Sequence, residues 1–208
     1  MDTYKAIFSR HTVREFNNEP IPNDVLKKIL LAGLQAPSND HLRNWEFIIL
    51  DDSVIRENAI AVIEEMSSET DIENLLIDWG INGDLQKQMY FNAIPKQKSM
   101  LRSASKLILP LFKQEVPLLQ PRSLSSLNAH ASIWCCIENI LIAAAVDGIY
   151  GVTRIPMQNE TEHLRELLNI PNEYEFACYL ALGYPSENLS PVKQYEQVIE
   201  KKIHLNHW

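Results

Sequence analysis

The stretch from His130 to Val146, HASIWCCIENILIAAAV, carries apolar side chains around most of a helical circumference. A helix at a protein surface has one apolar stripe, whereas a helix that is apolar on nearly every side is buried. The stretch therefore predicts the central helix of a core, ending at Asp147 and Gly148. Uninterrupted apolar runs all fall short of the roughly 18 to 20 residues that cross a bilayer, so we expect no membrane partner.

Helical and strand patterns are interleaved on either side of this helix. Short apolar runs between polar loops predict strands, and wider apolar spacing predicts helices. This mixture favours an α+β or mixed α/β layer architecture, and 208 residues with 46% hydrophobic side chains fit a single domain over residues 1–208. The predicted strands lie at 45–50, 105–112, 149–156 and 173–185. The predicted helices lie at 3–9, 22–35 and 161–170, with one or two more within 53–92.

Charge and cysteine usage narrow the class of function. A net charge of −8 and a pI near 5.3 argue against a nucleic-acid partner or an anionic membrane surface, since both require surplus Lys and Arg. Cys135, Cys136 and Cys178 form no CxxC pair, so we interpret them as buried free thiols in a reducing compartment. The N-terminal sequence also lacks the apolar core of a signal peptide, which makes the cytoplasm the expected location.

The sequence lacks the usual catalytic and metal-binding motifs. It contains no GxGxxG, GxxxxGK[ST], GxSxG or HExxH pattern. His204 and His207 have the spacing of one helical face, but two histidines without a third ligand are typical of an exposed tail. We therefore expect no metal site and no catalytic acid–base dyad.

A basic segment, SRHTVREF at residues 9–16, stands out in this acidic chain. If the segment is extended, Arg10, Thr12 and Arg14 project to one side, while His11 and Val13 project to the other. Two guanidinium groups that flank a hydroxyl can hold a phosphate or another planar anion. A solvated strand edge would explain the same spacing, because exposed arginines are common.

A second polar segment, APSNDHLRNW at residues 36–45, links the helix of 22–35 to the strand of 45–50. Loops of small hydrogen-bonding residues held between regular elements often bind ligands. An ordinary helix-to-strand turn is the alternative interpretation.

Together the two segments resemble the N-terminal signature of the nitroreductase family of FMN-dependent oxidoreductases. The family pattern is Arg-[Arg/His]-Ser/Thr-x-Arg/Lys-x-Phe, then a helix, then Ala-Pro-Ser followed by Trp-x-Phe. CIENILIAAAVDGIYGV is similar to the family's central helix and glycine turn, and ACYLALGYPSE resembles its late strand. The resemblance implies an α+β sheet flanked by helices, in an intertwined homodimer that binds one FMN at each end of the subunit interface.

The resemblance also implies which residues contact the phosphate end and the ring of FMN. Arg10, His11 and Thr12 would hold the phosphate and the ribityl chain. Arg14 would lie near the pyrimidine edge, where a cation stabilises the negative charge of the reduced ring. Lys193 matches a further basic phosphate contact.

Other implied contacts come from the second segment and from the TRIP turn. Pro37, Ser38 and Asn39 would come from the partner subunit and line the ribityl chain and the dimethyl side of the ring. His41 stands where the family has Asn and is included with them. The backbone N–H of Ile155 matches the group that donates to the hydride-accepting ring nitrogen.

Several positions differ from the family pattern. Arg43 stands where Gln is usual and Asn44 where Pro is usual. Pro156 replaces part of a glycine-containing turn and has no N–H. Tyr195 falls where a second phosphate-binding arginine is common.

By resemblance, NADH or NADPH reduces the flavin, and a small organic acceptor such as a nitroaromatic, quinone or enone then reoxidises it. The cofactor carries this chemistry, so no catalytic side chain is required. We expect the loop from Lys113 to Ser126, or the helices before Leu101, to cover the flavin face. The differences from the family motivate a second hypothesis, a flavin-binding sensor or cofactor store with little turnover. A cytosolic α/β protein without flavin is the third.

Overall fold

Five antiparallel strands form one sheet in the computed structural model of the chain, which describes residues 2–187, 189 and 194–208. The order is β1-β2-β5-β3, and the short β4 also pairs with β2. This confirms the predicted α+β class. The strands are β1 Trp45–Ile49, β2 Lys106–Lys113, β3 Tyr150–Arg154, β4 Tyr174–Phe176 and β5 Tyr179–Gly183.

Strand β2, Lys106–Lys113, contains Pro110 in its interior. On one side of β2, β5 pairs only with Lys106–Ile108 and β4 only with Leu111–Lys113. Pro110 therefore faces the break between β4 and β5, where its carbonyl accepts from the N–H of Ala177 at 3.0 Å. A proline is tolerated there because the ladder needs no N–H at an interruption. The same break divides the single late strand predicted for residues 173–185.

The sheet is covered on both faces, since alternate residues of its central strands enter two different hydrophobic clusters. On β2, Leu107 and Leu109 belong to one cluster, and Ile108 belongs to the other. On β5, Tyr179 and Leu180 divide in the same way. Period-two alternation between two apolar layers is the pattern of a sheet buried between helices.

The predicted central helix is α7, Asn128–Val146, which packs on one face of the sheet together with α2, Asn23–Gly33. The two helices approach closely at Gly33, where an added Cβ would lie 2.5 Å from Cγ1 of Ile140. Helix α7 ends at Val146, and two residues later Gly148 has a φ of +73°, which suits a residue without a Cβ. The apolar pattern thus predicted both the position and the end of this helix.

Residues 53–93 contain three helices, where the sequence predicted one or two. Each of the three begins at a residue that suits an N-cap: Asp52, Ser68 or Gly83. The side chains of Asp52 and Ser68 accept from backbone N–H groups of their helices. The remaining helices are α1 Thr3–Ser9, α3 Ser53–Ile60, α4 Glu69–Asp78, α5 Asp84–Ala93, α6 Ser99–Ser103 and α8 Gln158–Leu167.

The residues group into two compact units. The first, Met1–Glu65 with Lys96–Leu189, contains the sheet and both of its apolar layers. The second, Met66–Pro95 with Ser190–Trp208, has its own small cluster around Ile72, Leu76 and Ile94. A single domain over residues 1–208 stays a prediction.

Burial of the cysteines was predicted correctly for two of the three. Cys136 and Cys178 are buried, and burial raises the pKa of the Cys136 thiol to about 12. Cys135 is exposed, so the prediction that it is buried is wrong. Cys135 directly precedes Cys136 on α7, so its side chain points about 100° around the helix axis from that of Cys136, which faces the core.

One helical stretch, Leu124–Val146, is long and apolar enough to cross a membrane by length and composition alone, with a hydropathy of 1.6 in its most apolar window. It consists of a short 3-10 turn at Leu124–Leu127 followed by α7. The core helix of a folded protein meets the same test, and α7 supplies Ile133, Ile137 and Ile140 to the layer under the sheet.

Candidate flavin site

The basic segment crosses from α1 to the edge strand β3 in an extended conformation. Thr12 forms a parallel bridge with Gly151, and the N–H of Val13 donates to the carbonyl of Gly151 at 3.1 Å. Val13 is fully buried while Thr12 is exposed, which is the alternation that an extended chain predicts. The segment is therefore fixed to the sheet through its backbone, leaving the Thr12 hydroxyl at the surface.

Arg10 stands at the C-terminal end of α1 and reaches α7. Its Nε lies 3.1 Å from Oε1 of Glu138, and both side chains remain partly exposed. Glu138 is the single acidic residue of α7, and the sequence reasoning did not select it. A lone carboxylate on an apolar helix could have indicated a cationic partner, because a charge on such a surface favours pairing.

Arg14 has the most unusual environment of the segment. Its Nε is buried and donates to no acceptor among the described residues. Burial also lowers the pKa of its guanidinium below the usual value, because the charged form loses water without gaining a counter-ion. Buried donors in native proteins are normally satisfied. An anionic or carbonyl-bearing ligand would supply the missing acceptor, so this position fits a bound flavin.

His11 packs sideways against the start of β3. Its ring centroid lies 4.3 Å from that of Tyr150, and its Nδ1 lies 2.7 Å from the carbonyl oxygen of Ser9. These contacts hold the imidazole at the surface beside Tyr150.

The second segment folds over the start of α7. The N–H of Asn39 donates to Oγ of Ser132 at 3.1 Å, and Nδ2 of Asn128 donates to Oδ1 of Asn39 at 3.3 Å. Within the segment, the N–H of Arg43 donates to Oγ of Ser38 at 2.9 Å. Ser38 therefore shapes the turn itself, and Asn39 ties it to α7.

Two residues of this segment adopt left-handed backbone conformations. His41 has φ +58° and Arg43 has φ +46°. Such angles are uncommon for side chains other than Asn, Asp and Gly, and they cluster where a loop is held in a functional shape. Both positions are among those that differ from the family pattern, so the altered residues stand at the sharpest bends.

Within one chain, the two predicted segments meet α7 at different levels. Ser132 and Asn128 contact the second segment, while Glu138 contacts the first. These positions are separated by about 9 to 15 Å along the helix axis at the usual rise per residue. The second segment therefore meets α7 near its start, and the basic segment meets it near its middle.

A cavity of about 400 Å³ opens beside the second segment. Its lining combines small polar residues with two aromatic residues whose side chains are buried, Trp45 at the start of β1 and Phe112 near the end of β2. Both residues fall in strands predicted from the sequence, where neither was assigned to a site. Their positions could have indicated a site, since each residue lies where a predicted apolar strand meets a polar loop. The lining includes Ser38, Asn39, Arg43, Gln114, Glu115, Ser126 and Ser132.

The loop expected to cover the flavin supplies one wall of this cavity. Gln114, Glu115, Val116, Ser125 and Ser126 all belong to the predicted interval 113–126. Nε2 of Gln114 donates to the carbonyl of Ser126 at 2.9 Å, which joins the two ends of the loop. The loop is thus held at its base, beside the cavity.

His130 and Trp134, on α7, provide a pH-sensitive contact next to the cavity wall. Nε1 of Trp134 donates to Nε2 of His130 at 3.0 Å, and the His130 ring lies 5.7 Å from that of Phe112. Burial lowers the pKa of His130 below its usual 6.5, and the bond from Trp134 requires a free lone pair. The folded chain therefore favours the neutral ring.

We predict that the stability contributed by neutral His130 is present above pH 6.5 and is lost as the pH falls below it, because the unfolded chain then binds the extra proton. His130→Gln keeps an acceptor for Trp134 without titrating. Between pH 7.5 and 5.5, the Tm of the wild type should fall by about 2 °C more than that of the variant. Parallel Tm curves, measured by scanning calorimetry, would contradict this prediction.

The backbone N–H of Ile155, predicted to contact the flavin ring, lies directly after β3. Ile155 is 60% exposed, and within the described ranges its backbone N–H donates to no other group. Arg154, just before it, is bound to Glu160 in the first turn of α8. Lys193, the remaining predicted cofactor contact, lies outside the described residues.

The described chain is an α+β protein whose sheet is covered by helices on both faces. At one sheet edge lies the buried Nε of Arg14, which has no acceptor among the described residues, and a polar turn packs on the central helix. Residues 7–184 match the sequence model of the nitroreductase family. That span includes both polar segments and all five strands, so the chain belongs to the nitroreductase family.

Individual relatives carry several different names. An iodotyrosine deiodinase of Nematostella vectensis is 28% identical over 187 residues, which cover 89% of this chain and 67% of that protein. The chain thus spans about two thirds of that relative. An NADH dehydrogenase of Thermus thermophilus is 23% identical over 199 residues, covering 92% of this chain and 90% of that protein.

Among solved structures, oxidised iodotyrosine deiodinase bound to FMN and 3-iodo-L-tyrosine superposes with a TM-score of 0.76 at 24% identity. The match covers all of both chains. At this identity the likeness shows the fold alone. Membership of the family and a common fold are thereby established.

Proposed function

We propose that the chain binds FMN and uses it to pass electrons from NADH or NADPH to a small organic acceptor. The observation that carries this proposal is Arg14, whose buried Nε lacks an acceptor on the segment that matches the family's cofactor-binding signature. The relative named NADH dehydrogenase supports a nicotinamide donor.

The basic segment would hold the cofactor through two arginines and a hydroxyl. Arg10 and Thr12 bind the phosphate end, and Arg14 lies against the ring. Arg10 exchanges its partly exposed bond to Glu138 for the phosphate, which is a favourable exchange because an exposed ion pair contributes little to stability. Bound FMN supplies hydride transfer, so the chain's own residues bind, orient and polarise it without acting as acids or bases.

A second copy of the chain would complete the site. One chain leaves its two polar segments at different levels of α7, so Pro37, Ser38, Asn39 and His41 of a partner subunit are the natural complement to the basic segment. Helix α1, which leads into the basic segment, exposes Tyr4 and Phe8. Large apolar side chains exposed on one helix are typical of a subunit interface. We therefore propose a homodimer, and the cytoplasm as its location.

Two classes of acceptor are supported by different observations. Family membership supports a nitroaromatic, quinone or enone. The relatives named iodotyrosine deiodinase support a halogenated aromatic as the second candidate, reduced with loss of halide. In both cases the acceptor is small, and a cavity of about 400 Å³ is in the size range of small-molecule sites.

The test starts with the purified, full-length chain. Yellow protein that releases FMN on denaturation is expected, and anaerobic NADH or NADPH should bleach its absorbance. Colour that persists would favour the alternative of a flavin-binding protein with little turnover. Protein that is colourless and does not take up added FMN would overturn the proposal. Reduced protein is then mixed with a nitroaromatic, a quinone, an enone or 3-iodotyrosine, and the rate of reoxidation identifies the acceptor class.

A further inference from the structure

An ion pair joins the two ends of the short segment that follows β3. Arg154 is the last residue of β3, and Glu160 lies in the first turn of α8. The guanidinium binds both carboxylate oxygens, with 2.7 Å between Nη2 and Oε1 and a second bond from Nη1 to Oε2. The side chains are only 12% and 3% exposed.

The pair is enclosed by the sheet. Arg154 lies opposite Tyr179 on β5, and its guanidinium carbon is 5.6 Å from the centroid of the tyrosine ring. Tyr179 is fully buried, and Glu160 is the single buried charged residue in the described part of the chain. The charges of Arg154 and Glu160 therefore depend on each other, since little water reaches them.

A buried ion pair of this kind contributes little net stability to a fold. Removing two charges from water offsets most of their attraction, and apolar side chains of the same volume often stabilise a fold as well or better. A bidentate pair, however, fixes direction as well as distance. The Arg154–Glu160 geometry thus holds the end of β3 and the start of α8 in one relative position.

The segment between the two charges has little packing of its own. Ile155 and Met157 are 60% and 64% exposed, and Pro156 between them has no N–H. The N–H of Ile155 donates to no group within the described ranges. With so few contacts, the direction of this N–H depends on how the two ends of the segment are held.

We propose that the Arg154–Glu160 pair is a positioning device that aims the Ile155 N–H at the bound flavin and thereby sets the flavin's reduction potential. The inference rests on the proposed function, because it requires FMN in the site. It goes beyond that function by assigning a role to two residues that need not touch the cofactor.

The sign of the effect follows from hydrogen bonding. An N–H directed at a ring nitrogen with a free lone pair stabilises the oxidised ring, because reduction places a hydrogen on that nitrogen. A turn that no longer aims this N–H removes the stabilisation, so the reduced ring becomes relatively more favourable.

The test compares two glutamate substitutions in the same compact unit. Glu160→Gln removes the charge that holds Arg154. Glu175→Gln is the matched control. Glu175, on β4, pairs with Arg165, on α8, at 3.0 Å, and both side chains are partly buried. This pair does not span the segment between Arg154 and Glu160. Each FMN-loaded variant is titrated against a reference dye, and amide exchange at Ile155 and Met157 is measured with and without FMN.

For Glu160→Gln we expect at least a tenfold rise in the ratio of reduced to oxidised FMN at a fixed potential. This corresponds to about 30 mV for a two-electron couple. Amide exchange at Ile155 and Met157 should be at least tenfold faster, while Glu175→Gln should match the wild type in both measurements. If Glu160→Gln does not fold, Arg154→Lys keeps the charge without the paired donors and should shift the ratio in the same direction.

Three results would overturn the inference. An unchanged potential in Glu160→Gln, even with faster exchange, would make the pair merely structural. Equal shifts in Glu160→Gln and Glu175→Gln would indicate general loosening of the fold. Wild-type protein that does not bind FMN would overturn the proposed function and this inference with it, and it is recognised before any variant is compared.

Discussion

Arg14→Ala is expected to weaken FMN binding by about 10- to 100-fold, the equivalent of one charge-assisted hydrogen bond at roughly 1.5 to 3 kcal/mol. The guanidinium is already desolvated in the folded chain, so a ligand gains the bond without removing more water from it. The bound flavin should also become harder to reduce, because the cation near the ring is lost. Fluorescence titration of apoprotein with FMN and a dye-referenced redox titration measure the two effects.

The matched control is Arg102→Ala. Arg102 belongs to the same compact unit but pairs with Glu57 at the surface, at 2.7 Å, where an ion pair contributes little. Its loss should leave FMN affinity and flavin potential unchanged. If Arg14→Ala behaves as this control does, the basic segment is a solvated strand edge and the cofactor assignment is wrong.

Arg14 also allows a test of opposite sign in the apoprotein. Arg14→Met keeps the aliphatic stem and removes a partly buried guanidinium whose Nε has no acceptor among the described residues. Its apo Tm should equal or exceed that of the wild type, because an unpaired buried charge destabilises the fold. Lower ligand affinity together with undiminished stability is the signature of a binding residue. A clear loss of apo stability would instead indicate a structural role.

Gly151→Val is expected to have the largest effect on folding. A Cβ at Gly151 would lie 2.5 Å from the carbonyl oxygen of Ala181 and 2.6 Å from Cδ2 of Leu182 on the adjacent strand. The backbone oxygen is held by the β3–β5 pairing and cannot move aside. We expect a loss of about 3 kcal/mol or more in the free energy of unfolding, at the upper end for overpacking. FMN binding should weaken as well, because Thr12 and Val13 attach to Gly151.

Gly83→Ala is the control for removing a glycine. Gly83 precedes α5 with φ near −77°, which any residue adopts. An added Cβ would lie 3.0 Å from the hydroxyl of Tyr195, at the tip of a side chain, and 3.9 Å from Cβ of Gln86, which is an ordinary contact. Its Tm should stay within a few degrees of the wild type in thermal denaturation monitored by circular dichroism. Comparable losses in both variants would show that crowding at Gly151 is not the cause.

The sequence predicted those parts of the fold that depend on local patterns. Local patterns placed α1, α2, α7 and β1 correctly. Alternation predicted that Thr12 and Val13 project to opposite sides, and Val13 is buried while Thr12 is exposed. These features follow from side-chain direction along one element, which the order of residues determines.

Features that depend on pairing between distant residues could not be predicted in the same way. The break at Ala177 arises from its position opposite Pro110, and the number of helices in residues 53–93 depends on how each cap is satisfied. The family resemblance supplied candidate cofactor contacts but no environment for them. The buried, unpartnered Nε of Arg14 became evident only in the folded chain.

The order of residues alone indicates a mixed α+β architecture around one apolar helix, and a basic extended segment that resembles the signature of the nitroreductase family. Which charges are paired becomes evident in the folded chain. Arg10 has Glu138 and Arg154 has Glu160, while Arg14 lacks an acceptor among the described residues. The physical reason is that pairing and desolvation depend on neighbours from distant parts of the chain, and packing alone brings those neighbours together.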